Sequence, residues 1–282
     1  MDRTALLAPL AGTPIVRRAV DTFARRYAHY RALQLDHLDV PAVQRETLLR
    51  LVRKARHTQF GRDHQFRRIT SVADFQALVP VRTYEWFWDT YWKNLFPRID
   101  NVTWPGKMPY YALSSGTTSG TTKFVPVSWE MVDSNKKAAF TTTGLFRHAY
   151  PDAQIFRGKF FFLGGSTDMR PQADGSFAGD LSGIAAKEIL DVSRQFFFPP
   201  KELTLMTNWE EKMNRFAERS IHEPVTAISG IPAWTQRLFA RVKELTGKKT
   251  VAEVWPRLRM VIHGGTKFEP FRDLFRKEIG SD

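Results

Sequence analysis

Residues 114 to 123 read SSGTTSGTTK, nine consecutive Ser, Thr and Gly residues followed by a lysine. Such a run can hold a phosphate. Glycines let backbone N–H groups converge into an anion-binding nest, Ser and Thr hydroxyls add rotatable donors, and Lys123 supplies a point charge. The same composition also suits a plain hairpin loop, and from composition alone that reading carries more weight. A Walker loop is excluded, because that motif needs four residues between its glycines and a Gly-Lys-Ser/Thr ending ahead of a helix. Here three residues separate Gly116 from Gly120, and two separate Gly120 from Lys123. The flanking YYAL and FVPV predict that the loop joins two strands.

Other chemistries find no support. No Gly-x-Ser-x-Gly elbow, His-Glu-x-x-His pair or Gly-x-Gly-x-x-Gly helix opening occurs. With no cysteine there is no disulfide framework, thiolate zinc site or cysteine nucleophile. His57 and His64 have no acidic partners at ligand spacing, so they read as surface or hydrogen-bonded side chains and no metal ligands are assigned.

The elements that must position the loop alternate between helix and strand. Val16, Val20, Phe23, Tyr27, Tyr30 and Leu33 recur at helical steps, as do Val43, Leu48, Leu49 and Val52, with a boundary at Asp39 to Pro41. Ser71 predicts an N-cap for a short helix ending at Leu78, and Ser128 one for a helix from Trp129 to about His148. The six rings at 84, 86, 87, 88, 91 and 92 are read chiefly as a helix packed on a core, and secondarily as a ligand pocket or a stacking surface. Strands are predicted at Lys159 to Leu163, Thr226 to Ser229 and Leu258 to His263, with helices at about 201 to 219 and 232 to 246 between and around them. This alternation argues for an α/β architecture with a largely parallel sheet. The expected organisation is a helical N-terminal segment, 1–78, packed on an α/β core, 79–282.

The hydrophobic fraction of 43% and charged fraction of 25% describe an ordinary globular chain and argue against disorder. A net charge of +13 attracts nucleotides, nucleic acid or membranes alike. Arg17 and Arg18 interrupt the apolar N-terminal stretch before it reaches membrane-spanning or signal form, so a soluble, cytoplasmic protein is expected.

The SSGTTSGTTK loop resembles the phosphate-binding signature of acyl-adenylate-forming enzymes. VPVRTYEWF at 79–87, GDLSGI at 179–184, ISGIPAW at 228–234 and WPRLRMVIHGGTKFEPFRDLF at 255–275 narrow the resemblance. They point to the plant auxin-responsive acyl acid amido synthetases, the Gretchen Hagen family, and their bacterial relatives, which implies the α/β large-domain scaffold of adenylate-forming enzymes, with mixed, mostly parallel sheets flanked by helices. The resemblance implies that Ser114, Ser115, Gly116, Thr117, Thr118, Ser119, Gly120, Thr121 and Lys123 wrap the ATP phosphates, with Thr118 and Lys123 serving the reaction. It implies that Gly264, Gly265 and Thr266 lie beside the adenine and acyl groups, and that Ile231, Trp234 and Gly264 border the acyl pocket. Trp234 reads equally as core.

The implied reaction joins a small carboxylic acid to ATP with Mg²⁺, giving an acyl adenylate and pyrophosphate, after which an amine such as an amino acid displaces AMP. Transfer to the thiol of coenzyme A, a non-catalytic binding protein and a basic nucleic-acid binder are the alternatives. An aromatic-x-x-Ser-Glu segment, a ribose-binding aspartate and a small C-terminal domain belong to the same pattern and do not fall within these 282 residues. The chain is therefore expected to be the N-terminal part of a longer enzyme, with the remainder of its own chain as a partner.

Overall fold

Phe161, at the centre of the strand predicted at Lys159 to Leu163, is fully buried, and one of the two sheets among the described residues is built around it. The computed structural model describes residues 12–114, 122–164, 168–189, 191–204, 206 and 208–280. Its eight strands in chain order are β1 (Tyr110–Ser114), β2 (Lys123–Val127), β3 (Lys159–Leu163), β4 (Arg170–Pro171), β5 (Phe177–Gly179), β6 (Phe197–Phe198), β7 (Val225–Gly230) and β8 (Met260–His263). They form two four-stranded sheets, ordered β2-β1-β5-β4 and β6-β3-β7-β8. The chain divides into two units: Met1–Ala32, Ala138–Asp168 and Asp180–Asp282 in one, Leu33–Lys137 and Met169–Gly179 in the other.

The first unit holds the β6-β3-β7-β8 sheet, and every pairing in it is parallel. Strands covered on both faces need a continuous apolar run, and the first four residues of β7 are all buried. Phe161, Phe198, Phe216, Leu238, Phe239, Trp255 and Phe275 form the core beside it. The Phe161 and Phe198 rings meet edge to face at 4.7 Å, and Trp255 donates its indole N–H to the Ser220 carbonyl at 2.8 Å. The helix Pro232–Thr246 starts with proline at its first turn, where no N–H is missed, and ends on Gly247 in the left-handed region. The helix expected at 201–219 is two, Lys201–Thr204 and Trp209–Ser220, the second restarted by the Asn208 side chain capping Glu211 N–H.

The N-terminal helix, Pro14–Asp36, forms as its periodicity predicts, but its buried face is not the aromatic one. Asp21, Ala24 and Ala28 are buried, while Phe23 and Tyr30 are exposed. Asp21 is held by the Arg147 guanidinium at 3.0 Å, and both side chains are almost wholly buried. A buried charge is stable only when paired in this way, and hydropathy periodicity cannot register such a pair.

In the second unit, β1 pairs antiparallel with β2 and parallel with β5, and β4 closes the far edge antiparallel to β5. Ser71 caps its helix in a reciprocal capping box with Asp74. The aromatic stretch forms one α-turn, Tyr84–Phe87, and then a π-helical turn, Trp88–Trp92. Tyr91 and Trp92 are buried in a cluster with Ile99, Met108 and Tyr111, and the four other rings pack half-buried on it. Polar atoms in the cluster are satisfied: Tyr91 donates to Asp63 at 2.8 Å and Trp92 to Thr103 at 3.2 Å. Burial and the Asp63 carboxylate together raise the Tyr91 phenol above its ordinary pKa.

Candidate functional site

The candidate phosphate loop is the connection of an antiparallel hairpin. Ser114 at the end of β1 faces Lys123 at the start of β2, and the ladder continues from Leu113 opposite Phe124 to Tyr110 opposite Val127. A strand-to-strand loop is what the flanking sequence predicts. Ser115, Gly116, Thr117, Thr118, Ser119, Gly120 and Thr121 lie outside the described residues. The base of the hairpin is described, and it is held from an element 38 residues earlier in the chain.

Thr83 caps the turn that carries Tyr84 and Glu85, accepting from the Trp86 N–H. From that turn the Tyr84 hydroxyl accepts the Phe124 N–H at 2.8 Å and donates back to the Phe124 carbonyl at 3.3 Å. Next to it, the Glu85 carboxylate meets the Lys123 ammonium at 2.5 Å, and the same ammonium lies 5.1 Å from the centre of the Tyr84 ring. Lys123 is thus placed by a carboxylate on one side and an aromatic face on the other. The hydrogen bond from Lys123 is the main cause of a lowered Glu85 pKa, so Glu85 stays ionised. Burial raises the pKa of the Tyr84 phenol, keeping it a neutral donor and acceptor. Sequence reading singled out Lys123 but missed Tyr84 and Glu85 as its partners, although both lie within the VPVRTYEWF stretch that carries part of the resemblance.

The second group of candidate residues lies at the carboxyl end of the parallel sheet. With chain order β3, β6, β7, β8, the spatial order β6-β3-β7-β8 reverses direction between β3 and β7. In open α/β sheets the crevice outside the strands' carboxyl ends at such a reversal is where ligands bind. Gly230 ends β7, Ile231 turns the chain into the helix Pro232–Thr246, and Gly264 follows β8 beside it, since Gly230 pairs with His263. Gly265 has φ +83°, a conformation that glycine adopts without strain, and a side chain there would come 3.4 Å from Ile231. Ile231 and Gly265 are therefore neighbours, as a shared pocket requires. Among the described residues nothing stands within 4 Å of the position a side chain would take at Gly264. Thr266 is exposed in the same turn, and His263 stacks flat on Phe268 at 3.9 Å, closing the turn across its base. Trp234 packs its ring 4.4 Å from that of Trp209 and against the core.

Among the described residues no group of three or more His, Asp or Glu is arranged to hold a metal. No helix there is long and apolar enough to cross a membrane.

A family model described as the GH3 family N-terminal domain matches residues 30–170 and 153–282. This chain belongs to the GH3 family. Among solved structures the GH3 fold recurs in a GH3.15 acyl acid amido synthetase, with TM-score 0.69 and 14% identity over 89% of this chain and 53% of that one. It recurs also in the AtGH3.15 acyl acid amido synthetase in complex with 2,4-DB, with TM-score 0.69 and 13% identity over 88% and 52%. The chain spans about half the length of these GH3 structures. No curated protein matches. The resemblance read from the loop and its companion stretches, and the mixed α/β fold drawn from it, are both borne out.

Proposed function

We propose that this GH3 chain forms the nucleotide- and acyl-binding part of an ATP-dependent acyl-acid amido synthetase. The observation that carries the reading is the hairpin: a Ser/Thr/Gly-rich connection between Ser114 and Lys123, with the lysine ammonium set by Glu85 and Tyr84 at its base. In this reading Ser114, the residues 115–121 and Lys123 grip the polyphosphate of ATP. Ile231, Gly264, Gly265 and Thr266 line the region of the adenine and acyl groups.

The carboxylate of the acid, already ionised, attacks the α-phosphorus, and pyrophosphate leaves. An amine, such as that of an amino acid, then attacks the acyl carbon and expels AMP. Mg²⁺, when bound with ATP, neutralises the phosphate oxygens. It would be held largely through the phosphates and water. No general base is needed for the first step, so positioning and charge neutralisation supply most of the catalysis. Lys123 stabilises charge on the departing pyrophosphate, and the glycines at 264 and 265 leave room for the ligand to approach the backbone.

Carboxylate-dependent exchange of labelled pyrophosphate into ATP by the full-length protein tests the reading. Exchange with at least one acid, and its loss by roughly tenfold or more in Lys123→Ala, is expected. No exchange over a broad panel of aliphatic and aromatic acids by a folded protein would overturn it.

A further inference from the structure

The helix Val40–Ala55 and the turn Phe66–Thr70 border a cavity of about 560 Å³ lined by Leu49, Arg53, Arg56, His57, Phe66, Arg67, Ile69 and Thr70. Its floor is apolar: Phe66 and Ile69 are buried, and Leu49 is half-buried beside them. Its rim is cationic. Arg53 and Arg56 come from the end of the helix and Arg67 from the facing turn, and among the described residues none of the three has a carboxylate partner. Asp63, the nearest acid in sequence to Arg67, is occupied by the Tyr91 hydroxyl.

His57 exposes the deficit at the level of single hydrogen bonds. The Arg56 Nε–H donates to His57 Nε2 at 3.0 Å, while Arg67 Nη2 faces His57 Nδ1 at 3.3 Å. A neutral imidazole accepts at only one of its two nitrogens, so in either tautomer one of these two arginines faces a ring N–H. A further cation, Arg62, is tied to the His57 carbonyl at 2.6 Å. Cations converge here on a single ring that can accept from only one of them, and an anionic oxygen in the cavity would serve the other arginine and the ring N–H together.

We propose that this cavity is a binding site for a small organic anion with an apolar body, separate from the hairpin at Lys123. The anionic head takes the arginine rim, and the body lies over Leu49 and the remaining exposed edges of Phe66 and Ile69. The volume falls within the range of roughly 300–1,000 Å³ found for small-molecule sites. Arginine's planar fork accommodates carboxylate and phosphate alike, so the two heads are separated by experiment.

Calorimetric titration of the 282-residue chain at low salt with 4-phenylbutyrate, phenyl phosphate and inorganic phosphate tests the site. One organic anion should bind about tenfold or more tightly than inorganic phosphate, and the preferred head identifies the class. Arg56→Ala combined with Arg67→Ala should weaken that binding about tenfold or more without lowering the thermal midpoint, since both side chains are exposed. Arg53→Ala alone provides the same reading if the double variant does not fold. Lys123→Ala should leave the binding unchanged. Equal affinity in wild type and the arginine variants, no preference over inorganic phosphate, or loss in Lys123→Ala would each overturn the proposal. So would binding of a single-stranded oligonucleotide, with steep salt dependence, by a chain that takes none of the small anions.

Discussion

The parallel sheet β6-β3-β7-β8 and the mixed sheet β2-β1-β5-β4 each have four strands, but their candidate residues are fixed by different means. In the parallel sheet the backbone does the positioning. Ile231, Gly264 and Gly265 sit where they do because β7 and β8 end together in register and the chain order reverses beside them. In the mixed sheet a side-chain clamp does it, with Tyr84 holding Phe124 and Glu85 holding Lys123 across a gap in sequence of about forty residues. The difference separates two kinds of fragility. A site fixed by strand order fails only with its core, whereas a site fixed by a clamp can be loosened by removing one atom.

The largest effect should come from the core of the parallel sheet. Phe161→Ala removes a fully buried ring that touches Phe198, Phe216 and Trp255, and should cost about 3–5 kcal/mol in denaturant unfolding. A loss below about 1 kcal/mol would mean that this sheet is not organised by its core, and the contrast would break. Next, Tyr84→Phe deletes one oxygen and both of its bonds to Phe124, for an expected loss of about 1–2 kcal/mol. Nucleotide affinity should fall with it, because Lys123 loses its alignment. Unchanged affinity in a destabilised Tyr84→Phe protein would show that the clamp is purely structural.

The smallest effect concerns a second contact of the mixed-sheet unit. Glu130 pairs with Lys54 and accepts from the Trp104 indole at 3.1 Å. The Lys54 hydrogen bond, first among its causes, lowers the Glu130 pKa from 4.5 to about 2. A carboxylate with a depressed folded-state pKa contributes stability above its unfolded value and loses it as pH falls through the folded one. The contribution should therefore be complete above about pH 4.5 and disappear towards pH 2. Both side chains are more than two-fifths exposed, so it should stay below about 1 kcal/mol. Glu130→Gln should flatten this part of the acid-unfolding profile, and an unchanged profile would remove the pair from the account of stability.

Local signals in the sequence carried most of the secondary structure. Ser71 and Ser128 cap the helices they were expected to cap, and the YYAL and FVPV flanks of the glycine-rich loop marked β1 and β2 as strands. Short strands escaped notice because they are defined by partners and not by pattern: Arg170–Pro171, Phe177–Gly179 and Phe197–Phe198 are each two or three residues long. The apolar face of the first helix was misleading for a similar reason, since burial there is decided by the Asp21–Arg147 pair, 126 residues apart. At the candidate site the loop and the GG turn could be read from residue types. Glu85 and Tyr84 could not, because a glutamate and a tyrosine in an aromatic helix carry no mark of the strand they reach. The six rings expected to pack a core do so, and one of them has this second role.

Strand β2 lies at the outer edge of its sheet. Edges of this kind can recruit a foreign strand and seed aggregation. The Tyr84 hydroxyl occupies the outward N–H and carbonyl of Phe124, and the next outward position in the alternation is Pro126, which has no N–H to offer. The arrangement that sets the hairpin thus also removes the backbone donors an incoming strand would need, and Tyr84→Phe should make the protein more prone to form intermolecular β-structure on prolonged storage.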